Sequence, residues 1–139
     1  MTKTMASTPT FVGAIIKNTK GEILLQKRDS KVPTFKNCWT LFGGQVKVGE
    51  KPKTAILREL EEEISLTANS IKKCKIVQIN HQENEANQYV FLINTHATIN
   101  NLILKEGEQT KFIKRKDILN RKFAFNIREV LERYLEQSK

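Results

Sequence analysis

The stretch from Pro52 to Ile64 constrains this sequence more than any other segment. Its apolar residues recur at helical spacing, and Pro52 suits a first turn, where its missing N–H costs nothing. The same stretch holds four of the chain's 15 acidic residues, although the formal net charge is +9. At about 100° per residue, Glu59, Glu62 and Glu63 share one sector beside the apolar stripe, whereas Glu61 points away. The sequence therefore predicts a helix with three carboxylates at the edge of the core.

Such a cluster is either mildly destabilising or occupied by a cation. Like charges at i,i+4, as at Glu59 and Glu63, cost roughly a few tenths of a kcal/mol, and a bound cation reverses the sign of that term. Mg²⁺ or Mn²⁺ suits oxygen ligands, and a pyrophosphate substrate would complete the coordination. The alternative is an ordinary charged helix face with Arg58 paired to Glu62. Helix geometry alone leaves both interpretations open.

The rest of the chain reads as strands followed by a closing helix. Residues 10–17 and 22–27 predict an opening hairpin, and residues 28–38 predict a loop. Five further elements are predicted: a short strand at 39–42, strands at 71–80 and 87–98, a short strand at 111–113, and a helix at 125–137. This order predicts an α/β fold with a mixed sheet covered on both faces.

Composition restricts the class of protein. A chain of 139 residues with 39% hydrophobic residues suits a single domain over 1–139, with the polar residues 1–9 as a flexible N-terminal segment. The sequence holds no apolar run long enough to cross a bilayer, and its two cysteines form no ligand pattern, so we expect a cytoplasmic protein with free thiols. The charge of +9 favours anionic partners, namely a nucleotide, nucleic acid or an acidic membrane surface, and charge alone does not choose among them. Nucleic acid is possible but not favoured, because no aromatic residues beyond Phe112 are interleaved in the basic run at 111–122. Monomer and homodimer are both compatible with these features.

The spacing around the acidic helix adds a specific resemblance. Gly44, five residues, Glu50, seven residues, and then Arg58-Glu59-Leu60-x-Glu62-Glu63-x-Ser65-Leu66 closely resembles the Nudix box. The single departure is Ser65, where the box has glycine. The opening hairpin, the lead-in W-x-LFGG and the closing helix are also of the family's kind. The chain therefore resembles a MutT-like Nudix hydrolase, which implies an α/β/α sandwich with a mixed β-sheet between helices.

The resemblance implies a chemistry and a set of ligands. Family members are pyrophosphohydrolases dependent on Mg²⁺ or Mn²⁺ that cleave a nucleoside diphosphate linked to another moiety, such as a nucleoside triphosphate, an oxidised nucleotide or a nucleotide sugar. The implied metal ligands are Glu59, Glu62, Glu63, the carbonyl of Gly43, and Glu106 from outside the box, with Glu108 close behind it. Arg58 and Glu50 would brace the catalytic loop and helix. The general base stays open among Glu59, Glu50 and an acid outside the box.

Three further residues are assigned to the substrate. Lys27 and Arg28, at the end of a predicted strand, would bind phosphate, with solvated surface charges as the alternative. Asn126 lies where MutT-like proteins can read a purine edge, but asparagine also caps helices well, and the cap is the favoured interpretation. Ser65 should cost about 1 kcal/mol at a helix end and removes no ligand. The competing function is a non-catalytic Nudix-like module that binds a nucleotide or RNA.

Overall fold

Strand β1 (Thr10–Lys17) lies at the centre of the sheet in the computed structural model, which describes residues 8–78, 86–104 and 109–138. It pairs in parallel with β6 (Asn87–Thr95) along its whole length and antiparallel with β2 (Ile23–Lys27) and β4 (Phe42–Gln45). The sheet is therefore mixed, and the predicted opening hairpin is present. In this register Phe11 stands opposite Gln88 of β6 and Gln45 of β4.

The remaining strands extend the sheet on both sides. Strands β3 (Trp39–Thr40) and β7 (Gln109–Ile113) pair with β2, and β5 (Ile71–Gln78) pairs with β6. Short 3₁₀ helices occupy Ala68–Ser70, Ile99–Asn101 and Arg115–Asn120. The predicted short strand at 39–42 is wrong in extent, because the chain forms two strands there and the second continues through both glycines to Gln45.

Two helices cover opposite faces of the sheet because side chains alternate along each strand. Ala14 and Ile16 of β1 point into the core beneath helix α1 (Pro52–Ile64), whereas Ile15 points into the core beneath helix α2 (Ile127–Gln137). All three side chains are fully buried. The predicted α/β/α sandwich is confirmed.

Helix α1 has the bounds that the sequence predicts, and Ser65 ends it. Ser65 adopts the left-handed conformation, with φ 57° and ψ 30°. Its N–H donates to the carbonyl of Glu61 at 3.1 Å, and the N–H of Leu66 donates to the carbonyl of Leu60 at 3.2 Å. These bonds form the helix ending that glycine usually supplies, so serine keeps the geometry at a local cost of about 1 kcal/mol.

Other expectations have mixed outcomes. Cys38 is buried, Cys74 is half-buried, and both thiols are free, as predicted. Over the described ranges, none of the helices has the length and apolar character needed to cross a membrane. Helix α2 starts two residues later than predicted, because Phe125, with φ 54°, is not helical. Residues 1–7 of the predicted flexible segment, and both Glu106 and Glu108, lie outside the described residues.

Candidate active site

Two glycines of β4 bring the acidic face of α1 against the sheet. A Cβ atom on Gly43 would lie 2.8 Å from the Cα of Gly13, which is backbone of β1. A Cβ atom on Gly44 would lie 2.6 Å from Oε1 of Glu59. Real Cβ atoms do not approach other atoms so closely. The missing side chains therefore create the space in which the strand and the carboxylate of Glu59 lie together.

The three acids that the helix geometry groups together lie along this contact, at different depths. The side chain of Glu63 is only 6% exposed, and the N–H of Gly43 donates to its Oε1 at 3.3 Å. The carboxylate of Glu59 is mostly buried beside Gly44, whereas the side chain of Glu62 is 56% exposed. Glu61 is exposed. The acids thus extend from a buried position to a solvent-facing one.

Arg58 connects these acids to the loop that precedes the helix. Its Nε and Nη2 donate to the two oxygens of Glu50 at 2.8 and 2.9 Å. Its Nη1 donates to Glu59 at 2.8 Å and to Glu62 at 3.0 Å. The pair between Arg58 and Glu62 expected of a plain charged helix face is present, but it is one part of a network of three carboxylates. This network fixes the loop relative to the helix.

Glu50 is the most strongly perturbed acid of the network. Hydrogen bonds from the side chain of Arg58, and then from the backbone N–H of Lys47 at 3.0 Å, lower the pKa of Glu50 to about 2. The same contacts raise the pKa of Arg58 above its ordinary high value, chiefly through the hydrogen bonds to Glu50. A carboxylate with so low a pKa has little affinity for a proton. Glu50 is therefore better suited to bracing the loop than to acting as a general base.

A cavity of about 640 Å³ opens beside the two glycines. Gly43 and Gly44 line it together with Arg28 and Asn126, two of the three residues that the sequence assigned to the substrate. The described lining does not include the third, Lys27, which ends β2. The guanidinium of Arg28 donates twice to the carbonyl of Thr34, at 3.3 and 3.2 Å. The structure thus brings the acids of α1 and a concave space for a ligand to the two sides of one strand.

Asn126 is the N-cap residue, immediately before the first residue of α2, but its side chain makes no capping hydrogen bond. Its amide instead forms a reciprocal pair with Gln88 of β6: Nδ2 of Asn126 donates to Oε1 of Gln88 at 2.9 Å, and Nε2 of Gln88 donates back at 3.2 Å. The favoured interpretation is therefore confirmed in position, since Asn126 is the N-cap residue, but the expected capping hydrogen bond is absent because Gln88 engages the amide. Gln88, which also lines the cavity, was missed, since no local pattern links residues 38 positions apart.

A NUDIX domain model matches residues 8–134 of the 139. The chain belongs to the NUDIX family. Two solved MutT structures cover nearly the whole Nudix chain. The first, from work on the Aliivibrio salmonicida and Vibrio cholerae proteins, is 26% identical with a TM-score of 0.73, covering 94% of this chain and 99% of that one. The second, from Methanosarcina mazei, is 25% identical with a TM-score of 0.70, covering 97% and 99%. The predicted MutT-like resemblance is confirmed.

A curated relative matches a shorter part of this Nudix domain. The RNA pyrophosphohydrolase of Mannheimia succiniciproducens is 38% identical over 61 residues, which are 44% of this chain and 28% of that protein. The aligned stretch spans less than half the length of each curated relative that we compared. These matches cover only part of the Nudix domain, so the substrate of this chain is a matter for proposal.

The acids of this Nudix domain fit a hard divalent cation by their donor chemistry. Across residues 8–78, 86–104 and 109–138, no three acidic, histidine or cysteine side chains are already gathered around one point. Arg58 holds Glu59 and Glu62 through one nitrogen, and Glu63 is held by the backbone of Gly43. These are carboxylate oxygens, the donors that Mg²⁺ and Mn²⁺ prefer, and they share one helix face.

The brace at Glu50 should make the stability of this Nudix domain pH-dependent. Because the pKa of Glu50 falls from 4.5 to about 2 on folding, its contribution is complete above about pH 4.5 and is lost as the pH falls toward about 2. We expect the difference in free energy of unfolding between wild type and Glu50→Gln to be largest near neutral pH and to shrink below about pH 4.5. Urea unfolding at about pH 6 and about pH 3 measures it. A difference that is equal at the two pH values would contradict this assignment.

Proposed function

We propose that this chain is a divalent-metal-dependent pyrophosphohydrolase that cleaves a nucleoside diphosphate linked to another moiety. One observation carries the proposal: Gly43 and Gly44 line the cavity, and the same two residues contact Glu63 and Glu59. A ligand that extends from the cavity past these two glycines would therefore place its phosphates against the acidic face of α1. Nudix membership supports hydrolysis of a phosphoric anhydride as the reaction.

In this proposal Glu59, Glu62 and Glu63 hold Mg²⁺ or Mn²⁺, with the Gly43 carbonyl and Glu106 as further ligands. When bound, the ion would neutralise charge on the phosphates and lower the pKa of a water molecule. Arg58 orients Glu59 and Glu62 through its Nη1, and Glu50 holds Arg58 in place. The attacking water needs a proton acceptor, and the lowered pKa of Glu50, about 2, makes it a poor one, so Glu59 or an acid outside the box is proposed for this role.

The proposed substrate class rests on the residues that line the cavity. The paired amides of Gln88 and Asn126 can offer both a donor and an acceptor to the edge of a nucleobase. Arg28, and Lys27 beside it, would contribute positive charge toward the phosphates. We propose nucleoside triphosphates, oxidised nucleotides and nucleotide sugars as the substrate class, and the curated relative, an RNA pyrophosphohydrolase, adds RNA. The free cysteines support a reducing compartment such as the cytoplasm.

A substrate panel tests the proposed function. The purified chain is incubated with Mg²⁺ or Mn²⁺ and with nucleoside triphosphates, dinucleotides, nucleotide sugars and 5′-triphosphorylated RNA, and release of phosphate, pyrophosphate or nucleoside monophosphate is measured. We expect at least one substrate to be cleaved, the cleavage to stop when EDTA removes the metal, and excess Mg²⁺ to restore it. If no substrate of the panel is cleaved and calorimetry detects no metal binding, the proposed hydrolase function is refuted.

A non-catalytic module that binds a nucleotide or RNA is the second candidate. The net charge of +9 favours it, and so does Arg58, which already compensates the charge of Glu59 and Glu62. The complete set of box acids argues against it, because a module that only binds has no need of three carboxylates at the phosphate end. Binding of RNA that weakens steeply with salt, without hydrolysis, would favour the module.

A further inference from the structure

Two phenylalanine rings meet at the cavity without becoming buried. Phe35 belongs to the loop after β2, and Phe125 precedes α2, yet their ring centroids lie 4.8 Å apart at an interplanar angle of 56°. The two residues remain 44% and 55% exposed, and both line the cavity. At this angle, neither ring stacks flat on the face of the other. Aromatic surface therefore stays open at the cavity wall.

The backbone at both rings adopts a conformation that phenylalanine rarely takes. The φ angles are 52° at Phe35 and 54° at Phe125, in the left-handed region that favours glycine. Strain of this kind persists where the surrounding structure requires it, and it is common at ligand clamps. Burial in the core does not explain it here, because both rings are about half exposed. The placement of the rings thus calls for a role at the surface.

Arg28 completes the group. Its guanidinium carbon lies 5.0 Å from the ring centroid of Phe125, and two hydrogen bonds to the carbonyl of Thr34 hold the guanidinium in place. A guanidinium and a phenyl ring both present flat surfaces on which an aromatic heterocycle stacks. A role limited to supplying positive charge to phosphate does not explain why the guanidinium of Arg28 lies over the ring of Phe125.

We propose that Phe35, Phe125 and Arg28 form an aromatic clamp that stacks on the nucleobase of the substrate. This deepens the proposed function and rests on it. The amides of Gln88 and Asn126 line the same cavity and meet the edge of the base, while Phe125, next to Asn126 in sequence, meets its face. The clamp selects substrates by an aromatic ring, so a sugar phosphate or inorganic polyphosphate gains nothing from it.

Matched ring variants test the clamp. Guanosine monophosphate is the probe, and its dissociation constant is measured by calorimetry for wild type, Phe125→Leu and Phe125→Trp. Loss of one stacking surface should raise the dissociation constant about tenfold in Phe125→Leu, whereas Phe125→Trp, which keeps a ring, should stay near wild type. Phe35→Leu provides a second test on the other loop should Phe125→Leu fail to fold. Ribose 5-phosphate, which lacks a base, should compete with guanosine monophosphate far less well than adenosine monophosphate does.

The outcomes distinguish failure of the proposed clamp from failure of the proposed hydrolase activity. If Phe125→Leu and Phe35→Leu bind guanosine monophosphate as wild type does, or if ribose 5-phosphate competes as well as adenosine monophosphate, the clamp is wrong. If the rings only join two loops, the leucine variants unfold at lower urea concentration with no change in the dissociation constant, which also rejects the clamp. If nucleotide binding depends on the rings while the wild type cleaves nothing, the clamp stands and the proposed hydrolase fails.

Discussion

The variant Glu62→Gln is expected to lower kcat about 10²- to 10⁴-fold on whichever nucleotide the wild type cleaves. The substitution keeps the shape of the side chain and removes the charge that a divalent cation needs. Glu62 is 56% exposed, and Arg58 keeps its bonds to Glu50 and Glu59 without it, so the free energy of unfolding should change little. Steady-state kinetics with saturating Mg²⁺, together with urea unfolding of the same preparations, measures both quantities.

Glu61→Gln is the matched control. It makes the same change of charge on the same helix, one residue away, but Glu61 is exposed and does not take part in the network of Arg58. We expect its kcat to stay within about twofold of wild type, since an exposed charge contributes little to a site it does not touch. Equal losses of kcat in Glu61→Gln and Glu62→Gln would show that the total negative charge of α1 matters and that Glu62 has no individual role.

The variant Gly43→Ala is expected to lower the free energy of unfolding by about 3 kcal/mol, because the added methyl group would press into the backbone of β1. The atoms it would meet include the Cα of Gly13 at 2.8 Å and the carbonyl carbon of Val12 at 2.9 Å, and neither can move without shifting the strand. Urea unfolding followed by circular dichroism measures the change.

Gly44→Ala is the informative companion, since the same methyl group there meets the end of a flexible side chain. The two carboxylate oxygens of Glu59 now lie 2.6 and 2.8 Å from the position of the added Cβ atom, so the carboxylate would have to move away. This movement would disturb its hydrogen bond to Arg58. We expect Gly44→Ala to stay folded with at most about 1 kcal/mol lost, and to lose about 10-fold or more in kcat. Similar unfolding curves for the two alanine variants would contradict this account of the glycine pair.

Local periodicity sufficed to predict the parts of the fold that depend on neighbouring residues. The bounds of α1 follow from apolar spacing and Pro52, and the angular grouping of Glu59, Glu62 and Glu63 follows from the helix repeat. The left-handed position of Ser65 was also predictable, because the resemblance placed a glycine there. The order of strands, helix, strands and closing helix made a sheet covered on both faces predictable.

Features that depend on distant contacts were not predictable. The pairing of Asn126 with Gln88 joins the start of α2 to β6, and it replaces the side-chain capping hydrogen bond that the local sequence favoured. The contact of Phe35 with Phe125 needs left-handed backbone at two phenylalanines, which no propensity favours. The two central residues of β4 are glycines that pair with β1, although glycine is depleted in strands.

For a substrate bound as proposed, the pairing around β1 also sets the distance between its base and its phosphates. Phe11 lies between Gln45 of β4 and Gln88 of β6, so the strand beside the acids and the strand carrying the paired amide are two strand spacings apart, about 10 Å. A base held at Gln88 and a phosphate held beside β4 must therefore be joined by a linker of about that length. Changing the register of β1 against either neighbour by one residue would alter this separation and exclude the ligand that the present register admits.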